Sequence, residues 1–256
     1  MPKAGIQAII YGQRNRDDVP GVLREVAEIG FAGAETGNLF RQVGEEAQVR
    51  ALFAETGLEL CGCHAGYNEF QETELLDGNL AYLKALNSRY LMCSGVGDRK
   101  RGLAVYRDAS RVFNDVGKRC LDQGVQFCYH NHAWEFEDRE GDTTGMDVLA
   151  AETDPALVKF CLDVYWIYHG LADPVTFINA HRERAVYFHF KDGEREPDGK
   201  PHFLELGRGK VDLKAAYAAA AALDPEWIVY EQDRSDGSPS ESVRVSREYM
   251  RSALGL

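Results

Sequence analysis

Short apolar segments rich in β-branched, aromatic and Cys residues recur along the chain. Each gives way to a polar or Gly turn and then to a stretch with apolar residues at helical spacing. The predicted strands are Ile6–Tyr11, Gly33–Thr36, Leu58–His64, Tyr90–Ser94, Val125–His132, Val158–Asp163, Val186–Lys191 and Trp227–Glu231. The predicted helices are Val19–Ile29, Glu45–Glu55, Glu72–Leu86, Ala104–Gln123, Met146–Thr153, Pro174–Ala180, Leu213–Leu223 and Glu241–Leu254. Strand is followed by helix eight times, one pair per 32 residues on average over the 256 residues.

That repeat leaves no length over for a second domain. The strands are nearly continuously apolar rather than alternating, which is the pattern of a parallel sheet covered on both faces. The fold class predicted is α/β, a single-domain (β/α)8 TIM barrel over residues 1–256. A doubly wound open sheet is the runner-up. It is disfavoured because the first strand is followed by YGQRNRDD and not by a Gly-rich phosphate turn. The Ala-rich run Lys214–Leu223 reads simply as good helix.

Composition narrows the partners. A net charge of −12, a pI near 5.1 and no Lys/Arg block argue against a nucleic acid, whose binding draws on clustered cations. No apolar run reaches the 18 residues of a membrane span, and the N-terminal residues have too short an apolar core for a signal peptide, so a cytoplasmic protein is expected. The six cysteines, at 61, 63, 93, 120, 128 and 161, mostly sit inside apolar runs and are expected to be reduced, small buried hydrophobes. Cys61 and Cys63 are too close for a structural zinc knuckle.

In a barrel of this kind the chemistry collects where the strands end, so polar residues in the last strand positions are the informative ones. They are Glu35, His64, Ser94, His130 with His132 and Glu135, Asp163, His189 with Lys191, and Glu231 with Asp233. Five of the seven histidines fall at or just past a predicted strand end. If the last three strands are neighbours, Asp163, His189 and Glu231 converge, and Glu135 completes a set of three carboxylates and one imidazole. Such a set suits a divalent ion that accepts oxygen donors and leaves positions open: Mn²⁺ first, then Mg²⁺ or Co²⁺, with Zn²⁺ accommodated. A thiolate-preferring ion would need Cys. Taken singly, an Asp or Glu at a strand end is more often a helix cap or an ion-pair partner; four at successive strand ends shift the balance.

These residues carry a resemblance. GFAGAET at Gly30–Thr36, CHAG at Cys63–Gly66, YHNHAWEFE at Tyr129–Glu137, LDVYW at Leu162–Trp166, HFKDG at His189–Gly193, LGRGKVD at Leu206–Asp212 and VYEQD at Val229–Asp233 together resemble the xylose-isomerase-like TIM-barrel superfamily, in its sugar phosphate isomerase/epimerase branch. The resemblance implies a divalent metal held by Glu135, Asp163, His189 and Glu231. Many relatives carry the strand-five Glu within the strand, where this chain has His130, so Glu135 must reach back from the loop. The superfamily also contains apurinic endonucleases, which use a metal cluster built from many histidines; this chain has too few and is too acidic.

The function expected is a metal-dependent isomerase or epimerase acting on a keto-sugar or related polyol ketone through an enediolate, with Glu135 and Glu231 as acid and base. The alternative is a lyase resembling inosose dehydratase, in which His130 or His132 protonates a departing hydroxyl. A non-catalytic sugar-binding barrel is the third reading. Glu35, His64, His132, Trp166, Lys191 and Arg208 are the expected substrate contacts. Gly207–Lys210 could cradle a phosphate, although an unphosphorylated sugar is favoured. The partner expected is a small-molecule sugar, with no nucleic acid and no membrane, and the aromatic-rich loops leave room for a homodimer.

Overall fold

The computed structural model describes residues 1–256. Eight parallel strands close into a barrel: β1 (Lys3–Gln7), β2 (Gly33–Thr36), β3 (Glu59–His64), β4 (Tyr90–Cys93), β5 (Gln126–His130), β6 (Val158–Asp163), β7 (Ala185–Phe190) and β8 (Trp227–Tyr230). Each strand pairs with its neighbours in sequence, and β8 pairs with β1 to seal the ring. The principal helices are α1 (Val19–Ile29), α2 (Glu46–Thr56), α3 (Thr73–Ala85), α4 (Leu103–Asp122), α5 (Gly145–Glu152), α6 (Pro174–Ala180), α7 (Leu213–Ala221) and α8 (Pro239–Ala253). No helix is long and apolar enough to cross a membrane.

Local chemistry accounts for the element boundaries. In α1, the Asp18 carboxylate accepts from Gly21 N, Pro20 sits in the first turn, and Gly30 ends the helix at φ 96°, a conformation that suits a residue without Cβ. Val22, Leu23 and Val26 form its buried stripe. The first predicted strand is displaced: β1 begins at Lys3 and ends at Gln7, and Ala8–Tyr11 is a 3₁₀ turn. The Gln7 side chain accepts from Ile9 N there and gives the backbone a partner other than the sheet. Ile10 and Tyr11 are buried all the same, so their apolar character reports packing, not strand.

The interior of the barrel has a floor and a mouth. Cys61, Met92, Cys128, Cys161, Tyr187, Trp227 and Val229 form a separate buried cluster inside the ring. Trp227 reaches the lower end because Gly33 leaves it space: a Cβ there would lie 2.7 Å from the indole and 2.6 Å from Glu59 O. Side chains two residues further along a strand point the same way. Cys128, Cys161, Tyr187 and Val229 of the floor are therefore followed, one layer up, by His130, Asp163, His189 and Glu231. All six cysteines are buried and free.

Between strand ends and helices lie elements that the apolar pattern did not foretell. A short helix, Trp134–Glu137, follows β5, and another, Val164–His169, follows β6. After β7, Asp192–Arg195 pairs antiparallel with Pro201–Leu204 as a hairpin at the mouth.

Candidate metal centre at the barrel mouth

Four groups from consecutive strands meet at the mouth. His130, Asp163, His189 and Glu231 are buried, and one ligand atom from each lies within 4.8 Å of those of the others. His130 Nε2 is 3.5 Å from Asp163 Oδ2 and 3.9 Å from Glu231 Oε2. His189 Nδ1 faces Glu231 Oε2 directly. Asp163 and His189 stand opposite one another in the sheet register, and Glu231 lies two residues beyond Val229, the partner of His189, on the same side of β8.

The inward atoms of this group have no hydrogen-bond partner. Both ring nitrogens of His130, Asp163 Oδ2, His189 Nδ1 and Glu231 Oε2 are buried and unpaired. Buried polar atoms are nearly always satisfied, and leaving one unpaired costs about 1–3 kcal/mol, more if it is charged. One atom from each of the four groups, two oxygens and two nitrogens, faces a common point and together they fit a divalent cation. Asp163 also shows why a strand-end acid cannot be read as either cap or ligand alone. Its Oδ1 accepts from Trp166 N and caps the helix Val164–His169, while Oδ2 is left for the mouth.

Glu35, on β2, fixes the orientation of two imidazoles at once. His189 Nε2 lies 2.8 Å from Glu35 Oε2, and His64 Nδ1 lies 3.2 Å from Oε1. Burial pushes the Glu35 carboxyl up, but His189 and His64 outweigh it and hold it at about 2. An ionised carboxylate only accepts, so both of those nitrogens donate. With Nε2 committed to Glu35, Nδ1 is the nitrogen left to face the mouth and Glu231, which is the usual way a carboxylate orients a ligating histidine. By the same logic His64 Nε2 is the atom facing Ser94 Oγ, at 2.9 Å.

Lys191 is the surprise. Expected as a substrate contact, it is fully buried. Its Nζ is 2.9 Å from Glu231 Oε1, 3.4 Å from Asp163 Oδ2 and 2.7 Å from Asp233 Oδ2. Burial opposes its charge, but the three carboxylates outweigh burial and raise it well above the ordinary lysine range. Two of the four donor groups thus also hold an ammonium, which lowers the net negative charge that a cation would meet.

Glu135 is not among the four. It is buried in the short helix after β5, where Oε1 accepts from the Tyr129 hydroxyl at 2.5 Å and Oε2 from His132 N at 2.7 Å. With both oxygens engaged, it closes the loop and does not reach back to the ligand point; His130, one of the expected acid/base groups, stands there instead. Burial pushes the Glu135 carboxyl up to about 7, with the Tyr129 and backbone hydrogen bonds opposing.

A cavity of about 390 Å³ opens over the four groups, lined among others by Arg16, His64, Ser94, His130, His132 and Asp233. His132 stacks on Trp134 with ring centroids 3.8 Å apart, and its Nδ1 is unpaired. Trp166 lies behind it, with Lys191 Nζ 4.9 Å from its ring. Arg208 does not join them: it is exposed and paired with Glu205. The suspected phosphate cradle beside it is already filled, because N–H groups of Gly193, Gly207, Gly209 and Val211 all donate to the Asp192 carboxylate. Ser94 is a cavity residue that the sequence placed at a strand end without assigning it a role, and Asp233, which with Gln232 was the alternative to Glu231 had the strand ended a residue later, lines the cavity and pairs with Lys191.

The fold and this mouth place the chain in a family. It belongs to the xylose isomerase-like TIM barrels, whose family profile matches residues 23–253. Among curated relatives, the inosose dehydratase of Lactiplantibacillus plantarum is 26% identical over 98% of this chain and 96% of its own. Among solved structures, a sugar phosphate isomerase/epimerase from Parabacteroides distasonis superposes with a TM-score of 0.79 at 21% identity, covering 99% of this chain and 95% of its own. A protein solved with a bound zinc atom superposes with a TM-score of 0.77 at 13% identity, covering 99% and 98%.

Proposed function

We propose that this protein is a divalent-metal-dependent lyase that removes water from an unphosphorylated keto-polyol, using the mouth of the barrel as its active site. The observation that carries the reading is the convergence of one buried donor atom from each of His130, Asp163, His189 and Glu231, none of which makes a hydrogen bond. A bound divalent ion would supply a Lewis acid for the ketone oxygen and its neighbouring hydroxyl, easing loss of the proton on the carbon between them.

The chain's own residues do the rest. Glu231 is the base: one oxygen is fixed by Lys191 and the other faces His189 and His130 at the mouth, so the carboxylate is held in place where the substrate would lie. His64 and Ser94 hold substrate hydroxyls from the opposite wall, with Glu35 keeping the imidazole in place. His132, rigid against Trp134 and held neutral by burial, lines the cavity where it can hold the departing hydroxyl, which leaves as water with the proton that Glu231 has taken from carbon.

Elimination is favoured over epimerisation by the identity of the strand-five residue. An epimerase of the kind first expected needs two carboxylates addressing opposite faces of one carbon. Here Glu135 is turned away and the group on β5 is an imidazole. The name of the Lactiplantibacillus relative supports the same choice, since an inosose is a cyclic polyol ketone. The Asp192-filled loop supports an unphosphorylated substrate, as does the pairing of Arg208 with Glu205.

The test is incubation of the metal-loaded protein with a keto-inositol in D₂O. Growth of an absorbing enone or diketone, with loss of water by mass spectrometry, is the expected result. Deuterium uptake without absorbance would return the assignment to isomerisation or epimerisation. Neither signal with any keto-polyol or keto-sugar, from protein that binds them, would leave a sugar-binding barrel.

A further inference from the structure

We infer that Cys161, together with His130 and His189, forms a second, sulfur-containing metal position one layer below the mouth, and that a zinc-like ion held there excludes the ion above. The three side chains are fully buried, and one ligand atom from each lies within 4.8 Å of the others. Cys161 precedes Asp163 by two residues on β6 and so points to the same interior. It is the sheet partner of His130 on one side and of Tyr187, the residue below His189, on the other.

Two further observations point to a ligand. His130 has two ring nitrogens, and neither has a hydrogen-bond partner. Nε2 faces Asp163 and Glu231, which leaves Nδ1 buried with nothing to bind, an arrangement that is costly unless something sits beside it. The Cys161 sulfur makes no hydrogen bond, unlike Cys128 beside it in the floor, whose sulfur reaches Gln126 O, and it lies within 4.8 Å of a ring nitrogen of His130 and of His189.

The chemistry of the lower position is unlike that of the upper one. Two imidazoles and a thiolate suit Zn²⁺, Co²⁺ or Cd²⁺ and reject Mg²⁺ and Mn²⁺, which prefer oxygen. Binding would displace the thiol proton to solvent. Below lie Cys61, Met92, Cys128, Tyr187 and Trp227, so no substrate can reach an ion there. His189 has one nitrogen to offer, because Nε2 is committed to Glu35, and it can serve one ion at a time. Only this exclusion rests on the proposed catalytic ion; the sulfur position itself does not.

The experiment is titration of the metal-free protein with Co²⁺, followed in the visible and near-ultraviolet. A thiolate-to-cobalt charge-transfer band is expected in the wild type. It should vanish in Cys161→Ser, persist in Cys128→Ser and in Asp163→Asn, and fade as excess Mn²⁺ draws His189 to the upper position. If Cys161→Ser does not fold, the wild-type band and its survival in Cys128→Ser still decide the matter. Cobalt bound at one equivalent with d–d bands alone would overturn the lower position and leave the upper one standing. Absence of any cobalt binding would overturn both.

Discussion

The hollow at the lower end of the barrel, about 440 Å³, is larger than the one at the mouth, about 390 Å³. It is lined by Arg50, Glu59, Arg89, Tyr90, Glu226 and Trp227, a mixture of charge and aromatic surface that suits a ligand as well as the mouth does. The difference lies in how the charges are used. Below, Arg89 is paired with Glu226 at 2.5 Å and Lys3 with Glu59 at 2.6 Å, and the only unpaired buried atom among the lining side chains is Ser88 Oγ. At the mouth, seven buried atoms of His130, His132, Asp163, His189, Glu231 and Asp233 make no hydrogen bond, and three carboxylates there share the single ammonium of Lys191. A hollow with satisfied walls is a feature of packing; a hollow with unsatisfied ones marks where something else is bound.

The largest effect should separate the two ends outright. Glu231→Gln is expected to lower turnover by roughly a thousandfold or more, the several kcal/mol that a Lewis acid and its base supply, and to reduce bound metal by elemental analysis. Glu226→Gln, the same change at the other end, should leave turnover within about twofold and metal content unchanged, since an exposed pair contributes at most about 1 kcal/mol. Equal losses from both variants would show that the contrast in unpaired atoms does not report function.

Glu35→Gln comes next. The amide keeps the shape but no longer demands a donor from both His64 and His189, so His189 is no longer held with Nδ1 toward the mouth. Metal affinity is expected to fall about 10- to 100-fold, the usual effect of losing a carboxylate behind a ligating histidine. An unchanged affinity in a calorimetric titration would remove Glu35 from the centre.

How much of this was legible in the chain is best judged from particular residues. The strand and helix pattern was readable because parallel strands buried on both faces are apolar throughout, and seven of the eight strands fall where that pattern put them. β1 was displaced because Ile10 and Tyr11 are buried by packing over a turn, and burial alone does not distinguish the two. Asp163, His189 and Glu231 were legible because a barrel collects its chemistry at strand ends. Glu135 was misplaced for a geometric reason: a carboxylate five residues beyond a strand is as near in sequence as a ligand would be, and only the Tyr129 hydroxyl and His132 N reveal that it is spent. The burial of Lys191 and the Asp192-filled loop were invisible, since both depend on the hairpin after β7, whose polar, Gly- and Pro-rich sequence reads as an ordinary turn.

Glu135 offers a test at the mouth that concerns folding and not chemistry. Its carboxyl titrates near 7 in the folded chain, against about 4.3 when unfolded. A raised value means that the folded state holds the proton more tightly, so stability is fully present below about pH 4 and is lost as pH rises through 7. The whole loss is roughly 4 kcal/mol. Glu135→Gln can accept from His132 N and donate to the Tyr129 oxygen, so its Tm should decline less between pH 5 and 8 than the wild type's, with metal content unchanged. A drop in bound metal would instead restore Glu135 as a ligand.

The smallest effect belongs to the lower end. Arg89 is mostly exposed, its side chain 65% accessible, and its partner Glu226 is also within 3.7 Å of Lys3. Removing the guanidinium therefore leaves Glu226 with a second cation, and water takes the place of the first. Arg89→Ala is expected to change stability by no more than about 0.5 kcal/mol in urea denaturation, and by less at high salt, because exposed pairs are screened. Should the variant lose several kcal/mol, or should it alter turnover of the keto-polyol, the ion pairs below are more than a rim, and the lower hollow would have to be treated as a second functional surface alongside the mouth.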